Sequence, residues 1–189
     1  MAEKKKKISP AKQKIIENYE RQREQFLENG YQEKSEVFSV LKANVMVFVT
    51  AVPFIVLGLA LWILAGRGFV WLGGSGYGRL FVIFVLTVFI HEVLHGVGWS
   101  FGAKAGFKSI YIGMMWESLT PYCHCKEPLT PGKYIFGCIL PVLILGAGVY
   151  IIAFITGSTL LLWVSLLNTL AAGGDLLIAW YARKYQTGY

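Results

Sequence analysis

Aspartate is almost absent from this sequence, and histidine and cysteine are scarce. Asp175 is the only aspartate, and the 189 residues contain three histidines and three cysteines. An odd number of cysteines, two of which lie in Cys123-His124-Cys125, excludes a disulfide framework, so we expect reduced thiols on the cytosolic side. No glycine-rich phosphate loop stands between a strand and a helix, so the sequence gives no support for nucleotide use. No apolar segment follows the lysine run at the N-terminus, so we expect no cleaved signal peptide.

Apolar and aromatic side chains, by contrast, are abundant. They make up 55% and 15% of the chain, and the mean hydropathy is +0.52. A soluble core needs far less, so the composition predicts an integral membrane protein whose main partner is the lipid bilayer. The formal net charge is +7, but the basic residues cluster at the N-terminus and between the apolar runs. This distribution is typical of membrane topology and argues against a nucleic-acid partner.

Four apolar stretches are long enough to cross a hydrocarbon core of about 30 Å as helices. They predict an all-α membrane protein with four transmembrane helices at about 43–64, 80–101, 134–156 and 160–181. The glycine-rich segment 66–78 predicts a loop between the first two spans. Residues 157–159 are so few that the last two spans must form an antiparallel hairpin.

The N-terminal region differs in character from the rest of the chain. Residues 1–36 predict a basic cytoplasmic arm, in which Ser9-Pro10 begins an amphipathic helix that ends near Gly30. We expect this helix to lie on the inner leaflet. Residues 37–189 form the predicted membrane domain.

The longest loop, at residues 102–133, is rich in β-formers over 107–116, which predicts a small β-hairpin-like structure. This loop, the N-terminal arm and the C-terminal tail carry most of the lysines and arginines, whereas the opposite side has only Arg67 and Arg79. By the positive-inside rule, the chain is a multi-pass protein of the cell membrane with this loop and both termini in the cytoplasm.

One apolar run contains the sequence His91-Glu92-Val93-Leu94-His95. On a helix the two histidines lie on one face, so both imidazoles can bind one metal ion while Glu92 lies beside it. This spacing is typical of zinc hydrolases. A carboxylate in a membrane span costs a few kcal/mol on insertion scales and is usually retained for function. A buried hydrogen-bonded cluster without metal is the alternative interpretation.

A catalytic zinc usually has three protein ligands, so two histidines leave one to be found. Asp175 is the favoured candidate, because apart from Glu92 it is the only acid in a predicted span. Its predicted depth matches that of His95 to within about a helical turn. Gly173 and Gly174 favour a local unwinding or a close helix approach that lets the short aspartate side chain reach the metal.

Other polar residues are less favoured as metal ligands. Glu117 is the alternative third ligand, although a loop carboxylate more often pairs with a lysine at the surface. Cys123 and Cys125 could hold a second metal ion with His124, but plain cytosolic thiols are the simpler interpretation. We interpret Cys138 and Pro141, in the third predicted span, as packing features.

The segment His91–Gly96 in one span, followed by Gly174-Asp175 in a later one, resembles the site-2 protease group of intramembrane zinc metalloproteases. From about Gly30 onward, including the loop segment Tyr122–Pro128, the chain is similar to a bacterial membrane family of unknown function described as zincin peptidases. The resemblance implies four spans, zinc on His91, His95 and Asp175, and Glu92 as the general base.

The mechanism implied by the resemblance needs a group that stabilises the oxyanion after Glu92 has taken a proton from the attacking water. The candidates are Asn168 and His124. Asn168 stands seven residues before Asp175, close to the same helix face, and an interhelical hydrogen bond is its alternative role. His124 could enter the site from the loop or could simply be solvated.

The leading hypothesis is a membrane-embedded zinc metallopeptidase that hydrolyses peptide bonds of membrane-anchored or juxtamembrane protein or peptide substrates. One alternative is a catalytically inactive, zinc-stabilised membrane scaffold that binds a partner protein. A metal or proton transporter is the least favoured, because four spans with one polar centre lack a second acidic relay. The sequence predicts no oligomeric state.

Overall fold

The computed structural model describes residues 10–33, 40–116 and 120–185. Residue contacts divide the chain into two units, Met1–Val37 and Phe38–Tyr189. In the first unit, helix α1 spans Pro10–Glu28. Arg23 Nε donates to Glu33 Oε2 at 2.6 Å. This ion pair connects helix α1 to the segment that follows it.

The second unit is mostly helical. Its helices are α2 (Val40–Leu64), α3 (Gly73–Ser100), α4 (Pro131–Pro141), α5 (Val149–Thr156), α6 (Thr159–Ala171) and α7 (Gly173–Ala182). A π-helix at Val142–Gly148 joins α4 to α5, and 3₁₀ turns lie at Gly106–Ser109 and Arg183–Tyr185. Strands β1 (Ile110–Met115) and β2 (Thr120–Cys125) form one antiparallel pair.

Among the residues that the structure describes, three helical segments are long and apolar enough to cross a membrane: Val45–Leu64, Gly73–Ser100 and Pro131–Thr156. The pair α6 and α7 makes a fourth if it counts as one span despite a bend of 44°. These lengths and compositions indicate a membrane protein.

The start of α3 corrects the loop predicted at 66–78. The helix begins at Gly73 rather than near residue 80, so only the first part of the predicted loop is irregular. Glycine costs about 1 kcal/mol per residue in a helix relative to alanine. A helix nevertheless pairs backbone groups that apolar surroundings would leave unpaired. The rings of Trp71 and Tyr77 also pack edge to face here, with centroids 5.5 Å apart.

The predicted β-hairpin-like structure is confirmed, and it packs against α3. A Cβ built on Gly96 would lie 2.9 Å from Cγ2 of Ile110 and 3.3 Å from Sγ of Cys123. Ile112 is the cross-strand partner of Cys123, so its side chain lies on the same face of the sheet. The absence of a side chain at Gly96 therefore lets the sheet lie against the helix one residue after His95.

The last predicted span is broken between α6 and α7, where a glycine also permits close packing. A Cβ on Gly173 would lie only 2.6 Å from the carbonyl oxygen of Val47 in α2. Thr50 Oγ1 donates to the carbonyl oxygen of Gly173 at 2.8 Å. Both features expected at the glycine pair, a break and a close approach, are present. They fix the start of α7, and with it Asp175, against α2.

Two clusters of buried apolar residues lie at different places in the second unit. One contains Trp62, Ala153, Leu162 and Leu166, and the other contains Trp99, Ile110, Cys138 and Ala179. The second cluster joins α3, α4, α7 and the sheet, so the elements that carry the predicted ligands share one core.

Candidate metal centre

His91, His95 and Asp175 converge between α3 and the first turn of α7. Nε2 of His91 lies 3.0 Å from Oδ2 of Asp175, and Nε2 of His95 lies 3.3 Å from Oδ1. The two Nε2 atoms are 3.1 Å apart. Both histidines are buried, and the aspartate side chain is 20% exposed. The structure thus brings together the three residues that the sequence singled out as ligands.

Most of the converging atoms accept hydrogen bonds, and few N–H groups are available to donate to them. Both oxygens of an ionised carboxylate only accept hydrogen bonds. Nδ1 of His95 is 2.9 Å from the carbonyl oxygen of Gly137, which also only accepts, so the proton of a neutral His95 is on Nδ1 and its Nε2 offers a lone pair. At most one N–H, on His91, remains for the three short contacts. Acceptor atoms as close as these repel one another unless a cation or an added proton lies between them.

The geometry fits zinc. Tetrahedral zinc with bonds of about 2.0–2.1 Å to nitrogen and oxygen places its ligand atoms roughly 3.3 Å apart. The contact between the two Nε2 atoms, and the contact of each Nε2 with a different oxygen of Asp175, run from 3.0 to 3.3 Å, close to the edge length of such a tetrahedron. Two imidazoles and one carboxylate also form a donor set that is usual for catalytic zinc, in which one position stays open.

Glu92 lies beside this group. One of its carboxylate oxygens and one ring nitrogen from each of His91 and His95 all lie within 4.8 Å of one another. The backbone N–H of Cys123, in β2, interacts with the carboxylate of Glu92. A carboxylate at this separation can reach a shared ion through one water, which is the position a general base requires.

Asn168 is buried in α6, and its side-chain donors bind groups other than the metal ligands. Its Nδ2 donates to Thr87 Oγ1 at 3.0 Å and to the carbonyl oxygen of Val164 at 2.8 Å. Thr87 lies one helical turn before His91 on α3. Because both amide hydrogens are used, the contacts favour the interhelical role over oxyanion stabilisation.

His124 lies in β2, where side chains alternate between the two faces of the sheet. Cys123 faces α3 at Gly96, and His124 therefore lies on the other face with its cross-strand partner Tyr111. Its Nε2 is buried without a hydrogen-bond partner. Burial, followed by the nearby Lys126 ammonium, lowers the pKa of His124 below its usual value, so the ring is neutral at pH 7.

The remaining candidates are less well placed. Among the residues that the structure describes, no group suited to a metal ion includes Cys123 or Cys125. Burial, followed by the Glu92 carboxylate, raises the pKa of Cys123 to about 12, which keeps this thiol protonated at neutral pH. Glu117, the alternative third ligand, lies outside the described residues.

Two residues that the sequence interpretation missed contact His95. The carbonyl oxygen of Gly137 accepts from its Nδ1, and the indole of Trp99 stacks on its ring with centroids 5.1 Å apart and planes at 11°. A signal for Trp99 was available, because a residue four positions after His95 on a helix lies on the same face. The site therefore extends into α4.

The sequence pattern of one protein family, described as "Putative zincin peptidase", matches residues 84–189, which is more than half of the chain. No curated protein and no solved structure matches the chain. The matched region includes both histidines, Glu92 and Asp175. The description implies zinc as the metal, in agreement with the group of His91, Glu92 and His95 that lies together on α3.

Proposed function

Because the chain belongs to this family of zincin peptidases, we propose that it is a membrane-embedded zinc metallopeptidase that cleaves membrane-anchored or juxtamembrane substrates. The observation that carries the proposal is the convergence of His91, His95 and Asp175 from two apolar helices, with Glu92 beside them. Polar side chains inside apolar, membrane-spanning helices are costly to bury. One cation bound by all of them explains why they occur together.

Each residue has a distinct role in this proposal. His91, His95 and Asp175 hold the zinc ion. A zinc ion held by these residues would supply the Lewis acid that polarises the scissile carbonyl, and would lower the pKa of water toward about 7. Glu92 accepts a proton from the attacking water and donates it to the leaving amine.

Strand β2 offers a place for the substrate backbone. One edge of β2 pairs with β1, and within the described residues no strand pairs with the other edge. The register of the sheet directs the backbone N–H of Cys123 to this second edge, and this N–H interacts with Glu92, so the unpaired edge faces the general base. An extended peptide that added to this edge would place its scissile bond beside Glu92. A helical substrate would first have to unwind.

The proposal includes a topology of four spans with both termini and the β1–β2 hairpin in the cytoplasm, because lysine and arginine are concentrated there. His95 is five residues before the end of α3, which corresponds to about 7.5 Å along the helix axis. Water then needs to cross only a short distance from the cytoplasmic side. Helix α1 would be amphipathic and lie on the inner leaflet, where anionic lipids attract basic segments.

A Glu92→Gln variant tests the catalytic part of the proposal. Glutamine keeps the shape of the side chain but cannot take up the proton, so we expect bound zinc to be retained and turnover to fall at least about 100-fold. The readout is the set of new N-termini of membrane proteins, identified by mass spectrometry in cells that express the wild type or the variant. Glu24→Gln, at an exposed position of α1, is the control and should leave that set unchanged.

The alternatives give different results in the same experiment. A catalytically inactive scaffold predicts that Glu92→Gln retains zinc, changes no N-terminus and preserves the cellular phenotype. A transporter predicts zinc flux into sealed vesicles without any cleavage product. Either result contradicts the peptidase.

A further inference from the structure

The carbonyl group of Gly137 orients one of the proposed zinc ligands. Its oxygen lies 2.9 Å from Nδ1 of His95 and accepts a hydrogen bond from the N–H at that position. The Nε2 lone pair of His95 is consequently directed toward His91 and Asp175. Metal-binding histidines usually donate their second N–H to such an acceptor, and this fixes both the tautomer and the ring orientation.

Pro141 explains why this carbonyl is available. In an α-helix the carbonyl of residue i accepts from the N–H of residue i+4, and the residue four positions after Gly137 is Pro141, which has no N–H. The next N–H along the chain, that of Val142, donates to the carbonyl oxygen of Ile139 instead. The proline thus leaves the Gly137 oxygen without the donor that an α-helix provides four residues later, and open to His95.

The packing of α3 on α4 brings the two groups within reach. A Cβ on Gly98 would lie 2.6 Å from Cα of Gly137, and a Cβ on Gly137 would lie 2.0 Å from Cδ1 of Trp99. Trp99 donates its Nε1–H to the carbonyl oxygen of Tyr134 at 3.0 Å and stacks on His95. Stacking on Trp99 therefore fixes the plane of the His95 ring, and the hydrogen bond to Gly137 fixes the rotation of the ring within that plane.

We propose that Pro141 is a positioning residue for the metal centre, acting through the Gly137 carbonyl on His95. The sequence interpretation of Pro141 as a packing feature is then incomplete, because the missing N–H is what the site uses. This inference rests on the metal site of the proposed function but not on proteolysis, so zinc affinity tests it without any substrate.

The test is a Pro141→Ala variant, which supplies an N–H that competes for the Gly137 oxygen. We expect zinc affinity, measured by competition with a chelator, to fall roughly 10- to 100-fold, as it does when such acceptors are lost elsewhere. The visible spectrum of the cobalt-substituted protein should change as His95 reorients. Helix content should be unchanged, because alanine is the better helix former.

Two control variants separate this effect from a general loss of packing. Pro53→Ala restores an N–H in α2, a helix that supplies no proposed ligand. Leu145→Ala removes buried apolar contacts in the same helical segment as Pro141 without altering a backbone donor. Both should retain the zinc affinity of the wild type. Unchanged affinity in Pro141→Ala, or an equal loss in all three variants, would overturn the inference.

A second measurement needs no variant. Nitrogen NMR of the metal-free wild type should show His95 protonated at Nδ1, and a proton on Nε2 alone would overturn the inference. A wild type that binds no zinc at all would instead remove the proposed metal site. Failure of the inference is thereby distinguished from failure of the proposed function.

Discussion

Oδ2 of Asp175 lies 3.0 Å from Nε2 of His91, although 84 positions separate the two residues in the chain. The contact depends on a third helix, because α2 packs directly on Gly173 at the start of α7. Changes at the α2 residues that contact Gly173, or at the α6–α7 break, should therefore affect the metal centre without touching a ligand.

Gly173→Ala tests this dependence on packing. The new Cβ would lie 2.6 Å from the carbonyl oxygen of Val47, so α2 and α7 must separate. We expect a loss of about 1–3 kcal/mol in the free energy of unfolding in detergent, together with reduced zinc content. At Gly174 the nearest atom to a built Cβ is 4.0 Å away, so Gly174→Ala is the matched control. Equal behaviour of the two variants would show that the close approach does not position Asp175.

The bond between Asn168 and Thr87 predicts a pair of variants with similar effects. Asn168→Ala and Thr87→Val each remove the interhelical hydrogen bond, and we expect a coupling energy of about 1 kcal/mol in a double-mutant cycle of unfolding. Turnover should fall less than about tenfold in both. Loss of an oxyanion donor costs about 10²–10³ in turnover. A loss of that size in Asn168→Ala, without one in Thr87→Val, would restore the catalytic role predicted from the sequence.

The carboxylate of Glu127 predicts a pH-dependent loop. Ser109 Oγ and the backbone N–H groups of Lys104 and Ala105 donate to it, and these bonds lower its pKa below the ordinary 4.5. A lowered pKa in the folded state means that the stabilisation is present above pH 4.5 and is lost as the pH falls through the folded value. Hydrogen exchange at Lys104 and Ala105, corrected for intrinsic rates, should therefore accelerate on acidification. Glu127→Gln should remove this pH dependence, and an unchanged profile would contradict the assignment.

The proposed ligands could be predicted from the sequence because acidic residues are scarce in the predicted spans. Two acids occur in the predicted spans, and Glu92 lies between the two histidines, so Asp175 was the natural partner for them. Helical spacing brings His91 and His95 onto one face whatever the tertiary structure is. The contact with Asp175 required a guess about which spans are neighbours, and that guess was guided by equal depth, by the glycine pair before Asp175 and by the family resemblance.

Other features depended on packing that no local pattern encodes. The role of Gly137 follows from the approach of α3 to α4, although Pro141 four residues later was a signal that its carbonyl lacked a helical donor. The start of α3 at Gly73 was missed because glycine has a low helix propensity, which the need for backbone hydrogen bonds outweighs here. Strand alternation in β2, which places Cys123 rather than His124 toward α3, needed the register of the sheet.

Elemental analysis of the purified protein tests the central claim most directly. The proposed centre predicts about one zinc per chain in the wild type and in Glu117→Ala, because Asp175 rather than Glu117 completes the ligand set. Asp175→Ala should lose most of the metal while its helix content stays the same. Zinc that persists at one per chain in Asp175→Ala, or a wild type purified without zinc that binds none when it is added, would contradict the account.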